Sequence, residues 1–395
     1  MENFRFHVET DIRFGKDRLG ELPEALNQFG KKVLLVYGGG SIKKSGLYDK
    51  IMDLLKANGN DVFEVAGVEP NPRIETVERG VKICREEAIE VVLAVGGGSV
   101  IDCSKAIAGA TMDDGTAWEM VLKRFYPGKA LPIVTVLTLA ATGSEMNAGA
   151  VISNLAKKQK LGFGGPAFMP KVSFLDPTFT FSVSNYQTAA GSADIMSHLM
   201  ENYFNATPAT DVEDGVAEGL MRAVIKNAPI AIKHPEDYDA RANLMWASSL
   251  ALNGLTGASK KGVWSCHPME HELSAVYDIT HGVGLAILTP RWMEYSLNED
   301  TAPKFARFAR EVWGVQESVD ELAARMGMQK LYDYFLSCGI PMTLPEVGIE
   351  NEDEFEAMAT QCIEMSRIGE AAFVPLTPKD VVAIYQKCMT PSSFI

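Results

Sequence analysis

Short apolar runs alternate with segments of helical periodicity along the first half of the chain. The runs are rich in β-branched residues and have the length of single strands, at Lys32–Tyr37, Val91–Val95, Pro132–Leu137 and Val172–Leu175. Apolar residues recur at helical spacing between them, for example from Tyr48 to Ala57 and from Ile74 to Glu87. This alternation predicts a parallel sheet covered by helices on both faces.

The pattern changes from about Asn185 onward. Long stretches then carry apolar residues at helical spacing, for example from Val212 to Ile232 and from Tyr238 to Leu252. We therefore predict an α/β domain over residues 1–184 and an all-α domain over residues 185–395.

Length, charge and cysteine content limit the class of protein. A chain of 395 residues is long enough for two domains. The net charge of -14 argues against nucleic acid and anionic membrane surfaces as partners. The apolar runs are shorter than the ~18 residues that indicate a membrane span. Met1–Arg5 does not begin a signal peptide and the six cysteines form no CxxC pair, so we expect reduced thiols and a cytoplasmic location.

Two similar glycine loops each follow a predicted strand and precede a predicted helix. They are Gly38–Ser41 and Gly96–Ser99, and Ser99 is expected to cap its helix. Glycines let the backbone approach phosphate, while helix N-termini supply amides and positive potential. Two such loops on successive strands favour a dinucleotide site over simple tight turns, although neither has the G-x-G-x-x-G spacing.

The loop sequences also bear on the coenzyme. The third strand leads into Thr138–Asn147, whose hydroxyls and amide suit ribose, phosphate or nicotinamide, or form an ordinary polar cap. No carboxylate stands in Tyr37–Lys44 to bind a ribose and repel a 2′-phosphate. This favours NADP(H) over NAD(H), unless the lysines of the loop are merely solvated.

Histidine and aspartate residues cluster in the helical half. Asp194 and His198 are four residues apart, as are His267 and His271, so each pair shares a helix face. His281 follows a plausible helix break. Three imidazoles and a carboxylate can enclose a divalent cation and leave one position open for substrate. Either pair could also occur by chance, and spacing alone favours His271 over His281 as the partner of His267.

The assembled motifs resemble those of the iron-containing alcohol dehydrogenases, and within them the butanol dehydrogenase and broad aldehyde reductase branch. Ser184 stands where many members have proline, and Asn147 stands where many have Thr or Ser, although Asn is usual in this branch. The likeness covers nearly the whole chain and includes Val68–Pro72, Gly96–Lys105, Ala141–Glu145, Gly191-x-x-Asp194-x-x-x-His198-x-x-Glu201, His267-x-x-x-His271 and His281-Gly282.

The resemblance implies a dehydroquinate synthase-like architecture, with an α/β dinucleotide-binding domain, an all-α metal-binding domain and a homodimeric assembly. It implies that Asp194, His198, His267 and His281 bind Fe(II), which zinc could replace. His271 would then be a catalytic neighbour that passes protons without binding the metal. The implied dinucleotide residues are Gly97, Gly98, Ser99 and Asp102 at the pyrophosphate, Asn71, Thr138, Thr142, Asn147 and Lys160 on the nicotinamide side, and Gly38, Gly40 and Ser41 at the adenosine ribose.

The function that follows is metal-dependent hydride transfer between NAD(P)(H) and short-chain primary alcohols such as butanol, or the matching aldehydes. An apolar pocket containing Trp246, Leu250, Trp264 and Met269 would favour such substrates over sugars. The alternatives are a polyol dehydrogenase, a dehydroquinate synthase-like lyase and a non-catalytic dinucleotide sensor. The lyase needs several cations beside the metal, whereas only Lys260 and Lys261 lie near a candidate ligand in the sequence.

Overall fold

The computed structural model describes all 395 residues, which form two compact units. The sheet unit comprises residues 7–183 and 235–253, and the helical unit comprises residues 1–6, 184–234 and 254–395. The strands are β1 (Asp11–Phe14), β2 (Lys32–Tyr37), β3 (Asp61–Val65), β4 (Val91–Gly96), β5 (Ile133–Leu137), β6 (Gly149–Asn154), β7 (Gln159–Gly164) and β8 (Val172–Leu175). The helices are α1 (Leu22–Asn27), α2 (Ser41–Lys44), α3 (Leu47–Ala57), α4 (Ile74–Glu87), α5 (Gly98–Met112), α6 (Ala117–Leu122), α7 (Asn185–Tyr203), α8 (Asp211–Lys233), α9 (Tyr238–Leu252), α10 (Cys266–Tyr277), α11 (His281–Tyr295), α12 (Ala302–Trp313), α13 (Asp320–Ser337), α14 (Phe355–Met365), α15 (Ile368–Ala371) and α16 (Pro378–Lys387).

The main sheet has six parallel strands in the order β1-β8-β5-β4-β2-β3. The predicted apolar runs correspond to β2, β4, β5 and β8, which confirms the predicted fold class together with the helical second half. These strands occupy the interior of the sheet, where side chains on both faces are buried. Burial on both faces explains why they read as continuous apolar runs rather than as alternating patterns.

Four strands were not predicted from the sequence. β1 and β3 are the two edges of the sheet, and each includes charged or partly exposed residues that interrupt the apolar pattern. β6 and β7 form a separate antiparallel hairpin. Its turn places Lys158 in the left-handed region, with φ 48°, after an Asn154 side chain that accepts from the Lys157 amide.

Several helices lie where the periodicity places them. α4 and α9 have the bounds predicted from the sequence, and α8 extends one residue beyond the predicted segment at each end. α8 continues past Pro229, although proline lacks the amide hydrogen that normally closes a helical hydrogen bond. None of the helices combines the length and hydropathy that crossing a membrane requires.

The division into units differs from a single boundary after residue 184 in two segments. Helix α9 belongs to the sheet unit, and residues 1–6 belong to the helical unit. Packing explains the position of α9, because a Cβ on Gly143 would lie 2.6 Å from the carbonyl oxygen of Ser248. The rings of Phe14 and Trp246 also meet edge to face, with centroids 6.0 Å apart. A boundary drawn from helical periodicity assumes that the chain passes from one unit to the other only once. The contacts of α9 instead place residues 235–253 in the sheet unit.

Candidate active site

The loops after β2, β4 and β5 lie side by side in the sheet unit. The three strands are parallel neighbours, so their carboxyl ends share one edge of the sheet. The Gly67 amide donates to the Gly38 carbonyl at 3.2 Å, and the Thr138 amide donates to the Gly96 carbonyl at 3.0 Å. This edge is therefore where a ligand of the sheet unit would bind.

Close packing requires glycine at the start of α5. A Cβ on Gly98 would lie 2.1 Å from Oγ1 of Thr142, and one on Gly97 would lie 3.1 Å from Cβ of Leu139. The backbone of the helix N-terminus therefore reaches the loop that follows β5. First-turn amides and the helix dipole at this position suit a phosphate.

Ser99 does not cap α5, so that prediction was wrong. Gly97 is the N-cap residue and Ser99 lies inside the first turn, where its hydroxyl donates to the Pro70 carbonyl. This bond attaches the loop that carries Asn71 to the glycine loop, and Asn71 itself is buried. The loop after β3 thus joins the loops after β2, β4 and β5.

Asp102 holds this edge of the sheet unit together. Its Oδ1 accepts from the Ser144 hydroxyl at 2.5 Å, and its Oδ2 accepts from the Val151 amide at 2.9 Å. These contacts make Asp102 a support for the loop after β5. A direct contact of Asp102 with the pyrophosphate stays a prediction.

Lys105 is fully buried one turn further along α5. Its ammonium donates to Oγ of Ser144 at 2.8 Å, to Oδ1 of Asn147 at 3.1 Å and to the carbonyl of Gly149 at 2.7 Å. Burial lowers the pKa of Lys105 to about 8, while Asp102 acts in the opposite direction. Sequence reasoning did not assign Lys105 a role, and the structure makes it the centre of this loop's hydrogen bonds.

The remaining predicted dinucleotide residues also lie in the sheet unit. The Asn147 amide group donates to the Gly143 carbonyl at 2.9 Å, so its side chain is fixed within the loop. Ser41 begins α2, preceded by Gly40 with φ 104°, and Lys160 is buried on β7. No residue of the predicted set lies in the other unit.

In the helical unit, three helices bring the predicted metal ligands together. α7 carries Asp194 and His198 one turn apart, α10 carries His267, and α11 begins at His281. Oδ1 of Asp194 lies 3.5 Å from Nε2 of His198, 3.9 Å from Nε2 of His267 and 3.7 Å from Nε2 of His281. Ligand bonds of ~2.1 Å at tetrahedral angles separate ligand atoms by ~3.4 Å, so this cluster has the dimensions of a metal site.

Two of the candidate ligand atoms have unsatisfied hydrogen-bonding capacity. Oδ1 of Asp194 and Nε2 of His267 are buried and have no hydrogen-bond partner. Burying such atoms unpaired is costly, and a cation at their meeting point would relieve the cost. Burial also lowers the pKa of His198 to about 3, which keeps this imidazole neutral and able to bind a metal. The residues present therefore fit a divalent cation.

A chain reversal brings His281 into the cluster. α10 ends at Tyr277, and Asp278 adopts the left-handed conformation with φ 51°, at the break expected from the sequence. Gly282 then packs directly on α7, where a Cβ would lie 2.0 Å from the Ala190 carbonyl oxygen. Glycine at this position therefore allows α11 to start close enough for His281 to face Asp194.

His271 lies beside the cluster, one turn beyond His267. Its ring centroid is 6.3 Å from that of His267 and 5.7 Å from that of His281. It groups with Glu270 and His281, whereas the group around Asp194 contains His267 and His281. His198 is not in that group either, but its Nε2 lies 3.5 Å from Oδ1 of Asp194. The geometry thus favours His281 over His271 as the companion of Asp194.

Trp264 borders the imidazoles, with its ring centroid 4.7 Å from that of His267 and 5.6 Å from that of His198. Its indole nitrogen donates to Oδ1 of Asn202 at 3.1 Å, which fixes the ring. Met269 is completely buried. Of the proposed pocket residues in the helical unit, Trp264 therefore lies beside the imidazole rings of the cluster.

Two further carboxylates, Glu201 and Glu270, contact the outer nitrogens of the cluster. Nδ1 of His267 lies 3.1 Å from Oε1 of Glu201, and Nδ1 of His281 contacts Oε2 of Glu270. Sequence reasoning gave neither residue a role, although Glu201 stands within the motif on α7. The contact between Glu201 and His267 joins residues 66 positions apart, which no local spacing reveals.

Comparisons with known proteins identify the family to which the chain belongs. The family described as "Iron-containing alcohol dehydrogenase" matches residues 9–177, and "Fe-containing alcohol dehydrogenase family, C-terminal" matches residues 188–389. The chain belongs to the iron-containing alcohol dehydrogenase family. The chain is therefore a member of an enzyme family, as the resemblance predicted, and not a non-catalytic dinucleotide sensor.

Members of the family resemble the chain over nearly its full length. NADH-dependent butanol dehydrogenase A of Clostridium acetobutylicum is 51% identical over 388 residues, covering 98% of this chain and 100% of the relative. The NADPH-dependent aldehyde reductase YqhD of Escherichia coli is 39% identical over 377 residues, covering 94% and 96%. The crystal structure of NADH-dependent butanol dehydrogenase A from Thermotoga maritima has a TM-score of 0.94 at 38% identity and covers 99% of each chain.

Proposed function

We propose that this member of the iron-containing alcohol dehydrogenase family interconverts short-chain primary alcohols and aldehydes by hydride transfer with NAD(P)(H). The observation that carries the proposal is that the Nε2 atoms of three imidazoles lie within 3.9 Å of the buried Oδ1 of Asp194, which has no hydrogen-bond partner. The names of the relatives, butanol dehydrogenase and aldehyde reductase, support the substrate class.

Asp194, His198, His267 and His281 would hold the cation. A bound divalent metal would supply Lewis acidity towards the substrate oxygen, and a bound nicotinamide would supply or accept the hydride. The negative charge of Asp194 would offset part of the cation's charge, while neutral imidazole ligands would add no charge to the site. The Trp264 ring, beside His198 and His267, would limit the access of water to these imidazoles.

His271 would move the alcohol proton. It is half-buried beside His267 and His281 and does not belong to the group around Asp194. An imidazole exchanges protons readily near neutral pH, so a side chain placed there can pass a proton towards solvent.

Iron(II) is the proposed metal, and the family description supports it. Zinc binds imidazole and carboxylate ligands more tightly than Fe(II) in the usual order of affinity, so purified protein is expected to acquire zinc. Elemental analysis followed by anaerobic reconstitution tests this proposal. Full activity in metal-free protein would contradict it.

The coenzyme preference is a finer question, on which two observations differ. The loop after β2 lacks a carboxylate, which led to the prediction of NADP(H). However, Glu64 on the adjacent strand accepts from the hydroxyls of Tyr37 and Tyr48 at 2.7 and 2.9 Å. The ammonium group of Lys43 lies 4.5 Å from the Tyr48 ring centroid. This cation–π contact engages the cation that a 2′-phosphate would need.

Relatives of both kinds exist, named NADH-dependent at 51% identity and NADPH-dependent at 39%. The preference for NADP(H) therefore stays a prediction, and Glu64 favours NAD(H) as the alternative. Comparison of kcat/KM for the two coenzymes with one aldehyde decides between them.

The function itself is tested by NADH and NADPH oxidation with butyraldehyde, with and without a chelator. Chelator-sensitive oxidation is expected. A 1,3-propanediol dehydrogenase of Klebsiella pneumoniae is 32% identical, so 1,3-propanediol is the appropriate polyol for comparison with butanol in the reverse direction. Equal activity without metal, or faster turnover of the diol than of butanol, would contradict the proposal.

The homodimer and the cytoplasmic location also stay predictions. All six cysteines are free and buried, which supports a reducing compartment. Light scattering after size-exclusion chromatography should give about twice the chain mass of 43.0 kDa if the protein is a dimer.

A further inference from the structure

Glu201 and Glu270 are buried carboxylates that lie behind two of the three imidazoles. Their side chains are 4% and 0% exposed. Glu201 comes from α7 and contacts His267 on α10, whereas Glu270 comes from α10 and contacts His281 on α11. Two of the three helices, α7 and α10, thus each provide the carboxylate for a histidine on another helix.

These contacts decide which nitrogen of each ring carries hydrogen. An ionised carboxylate can only accept hydrogen bonds, so Nδ1 of His267 and of His281 must be the donor. In a neutral ring the lone pair is then at Nε2. Nε2 is the atom that faces Oδ1 of Asp194, at 3.9 Å in His267 and 3.7 Å in His281.

Both carboxylates are themselves held in position. Glu201 accepts the backbone amides of Ser265 at 2.8 Å and His267 at 2.7 Å, at the N-terminus of α10. The positive end of a helix dipole favours a carboxylate there. The second oxygen of Glu270 accepts from the hydroxyl of Ser274. By contrast, Nδ1 of His198 is buried without a hydrogen-bond partner.

We propose that Glu201 and Glu270 are positioning residues that set the metal affinity of the site. Glu201 fixes the tautomer and orientation of His267, and Glu270 fixes those of His281. Carboxylates in this arrangement also raise the basicity of the ring, and their loss typically lowers metal affinity by ~10–100-fold. This inference rests on the proposed metal site, but its test does not depend on activity.

The experiment measures Zn(II) and Co(II) affinity by competition with a chromophoric chelator. Glu201→Gln and Glu270→Gln keep the side-chain size and an acceptor oxygen, so the fold is expected to survive. Both variants should bind each metal ~10–100-fold more weakly than the wild type, and the visible spectrum of bound Co(II) should change. Glu272→Gln is the matched control, because Glu272 is a buried residue of α10 that accepts from Gln361. It should bind metal like the wild type.

A double-mutant cycle separates positioning from a general disturbance of the fold. Glu201→Gln should have little further effect in a His267→Ala background but its full effect in a His281→Ala background. Glu270→Gln should show the reverse pairing. Equal effects in both backgrounds would overturn the positioning role.

The remaining outcomes separate a failure of the positioning role from a failure of the proposed metal site. If the wild type binds metal, His267→Ala weakens binding and both Gln variants bind normally, the positioning role is overturned while the metal site stands. If the Glu272→Gln control weakens binding as much as the other two variants, the positioning role is also overturned. If the wild type binds neither Zn(II) nor Co(II), the proposed metal site itself fails.

Discussion

At the scale of single residues, the cluster depends on how a few side chains are oriented. Asp194 turns one oxygen towards three imidazoles, and His267 turns an unpartnered nitrogen towards that oxygen. His271 has the helical spacing of a ligand but lies in a different group of side chains. Spacing on one helix therefore describes which residues are neighbours, while the packing of α11 decides which neighbour faces Asp194.

Two alanine substitutions test this assignment. His281→Ala should lose metal and activity together, because it removes an atom 3.7 Å from Oδ1 of Asp194. His271→Ala should keep its metal and lose roughly 10²–10⁴-fold in rate if it transfers the proton, with an altered pH dependence. Elemental analysis and pH profiles of kcat measure both effects. Loss of metal in His271→Ala with retention in His281→Ala would reverse the assignment.

A glycine pair tests the packing of the phosphate loops. Gly98→Ala would place a methyl group 2.1 Å from Oγ1 of Thr142, whereas a Cβ on Gly39 meets nothing within 4 Å. We expect Gly98→Ala to destabilise the protein by ~1–3 kcal/mol, since overpacked sites cannot relax fully. It should also weaken coenzyme binding, while Gly39→Ala should leave the free energy of unfolding unchanged. Urea unfolding and coenzyme titration measure these effects, and equal stability of the two variants would contradict the packing argument.

At the scale of elements, helix α5 and strand β3 each place a charged group near the loops that follow β2 and β5. Lys105 connects α5 to the loop after β5 through three residues. Glu64 on β3 reaches across to Tyr37 at the end of β2. Lys105 and Glu64 both contact residues that are distant in sequence. The effects of substituting them therefore cannot be predicted from their own segments.

Lys105 should make stability depend on alkaline pH. Its pKa is lowered by burial to about 8 in the folded protein, compared with 10.5 in an unfolded chain. The unfolded state therefore binds more protons between these values, and stability rises as pH increases through this window. Below pH 8 both states are protonated and the full cost of burying the charge is present.

The free energy of unfolding of the wild type should therefore rise relative to Lys105→Met between about pH 8 and 10.5. Subtracting the free energy of unfolding of Lys105→Met from that of the wild type cancels the contributions of other groups that titrate in this range. Parallel curves for the two proteins in chemical denaturation would show that Lys105 keeps an ordinary affinity for its proton.

Glu64→Gln should shift the coenzyme preference towards NADPH. Removing one negative charge beside the loop that begins at Gly38 should raise the NADPH/NADH ratio of kcat/KM by ~5-fold, or about 1 kcal/mol. Glu75→Gln, at an exposed position of α4, is the control and should leave the ratio unchanged. An unchanged ratio in Glu64→Gln would exclude the carboxylate as a determinant.

At the scale of the whole molecule, one candidate metal site joins three helices of the helical unit. Asp194, Glu201 and Glu270 place three buried carboxylates around it. Helices α7, α10 and α11 each contribute at least one imidazole. Without a cation this arrangement concentrates like charges in the interior, so metal binding and folding should be coupled.

Metal removal should accordingly lower the melting temperature. A ligand at 100 times its Kd stabilises the folded state by ~2.7 kcal/mol, which is lost when a chelator removes it. Differential scanning calorimetry with and without chelator measures the shift in Tm. Asp194→Ala should melt at the same temperature in both conditions. An equal Tm for the metal-loaded and chelated wild type would indicate that the site contributes nothing to stability.

The amount that could be predicted from the sequence differs between elements. The bounds of α4 and α9 follow from apolar spacing, because one face of a helix is buried whatever it packs against. The edge strands β1 and β3 were missed because their partial exposure breaks the apolar pattern. Ser99 was wrongly assigned as a cap because its hydroxyl bonds to Pro70, which lies 29 residues away in the chain.

The sequence by itself determined the parallel sheet, the helical second half, the glycine loops and the residues able to bind a metal. Burial and backbone conformation impose these patterns locally, so they can be read from neighbouring positions. Spacing favoured His271 and the resemblance implied His281, and the structure places His281 towards Asp194. Only the tertiary structure decided that α9 packs with the strands and that Glu201 and Glu270 hold two of the imidazoles. Local periodicity records that a side chain is buried but not which distant side chain it meets, because that depends on how the helices pack.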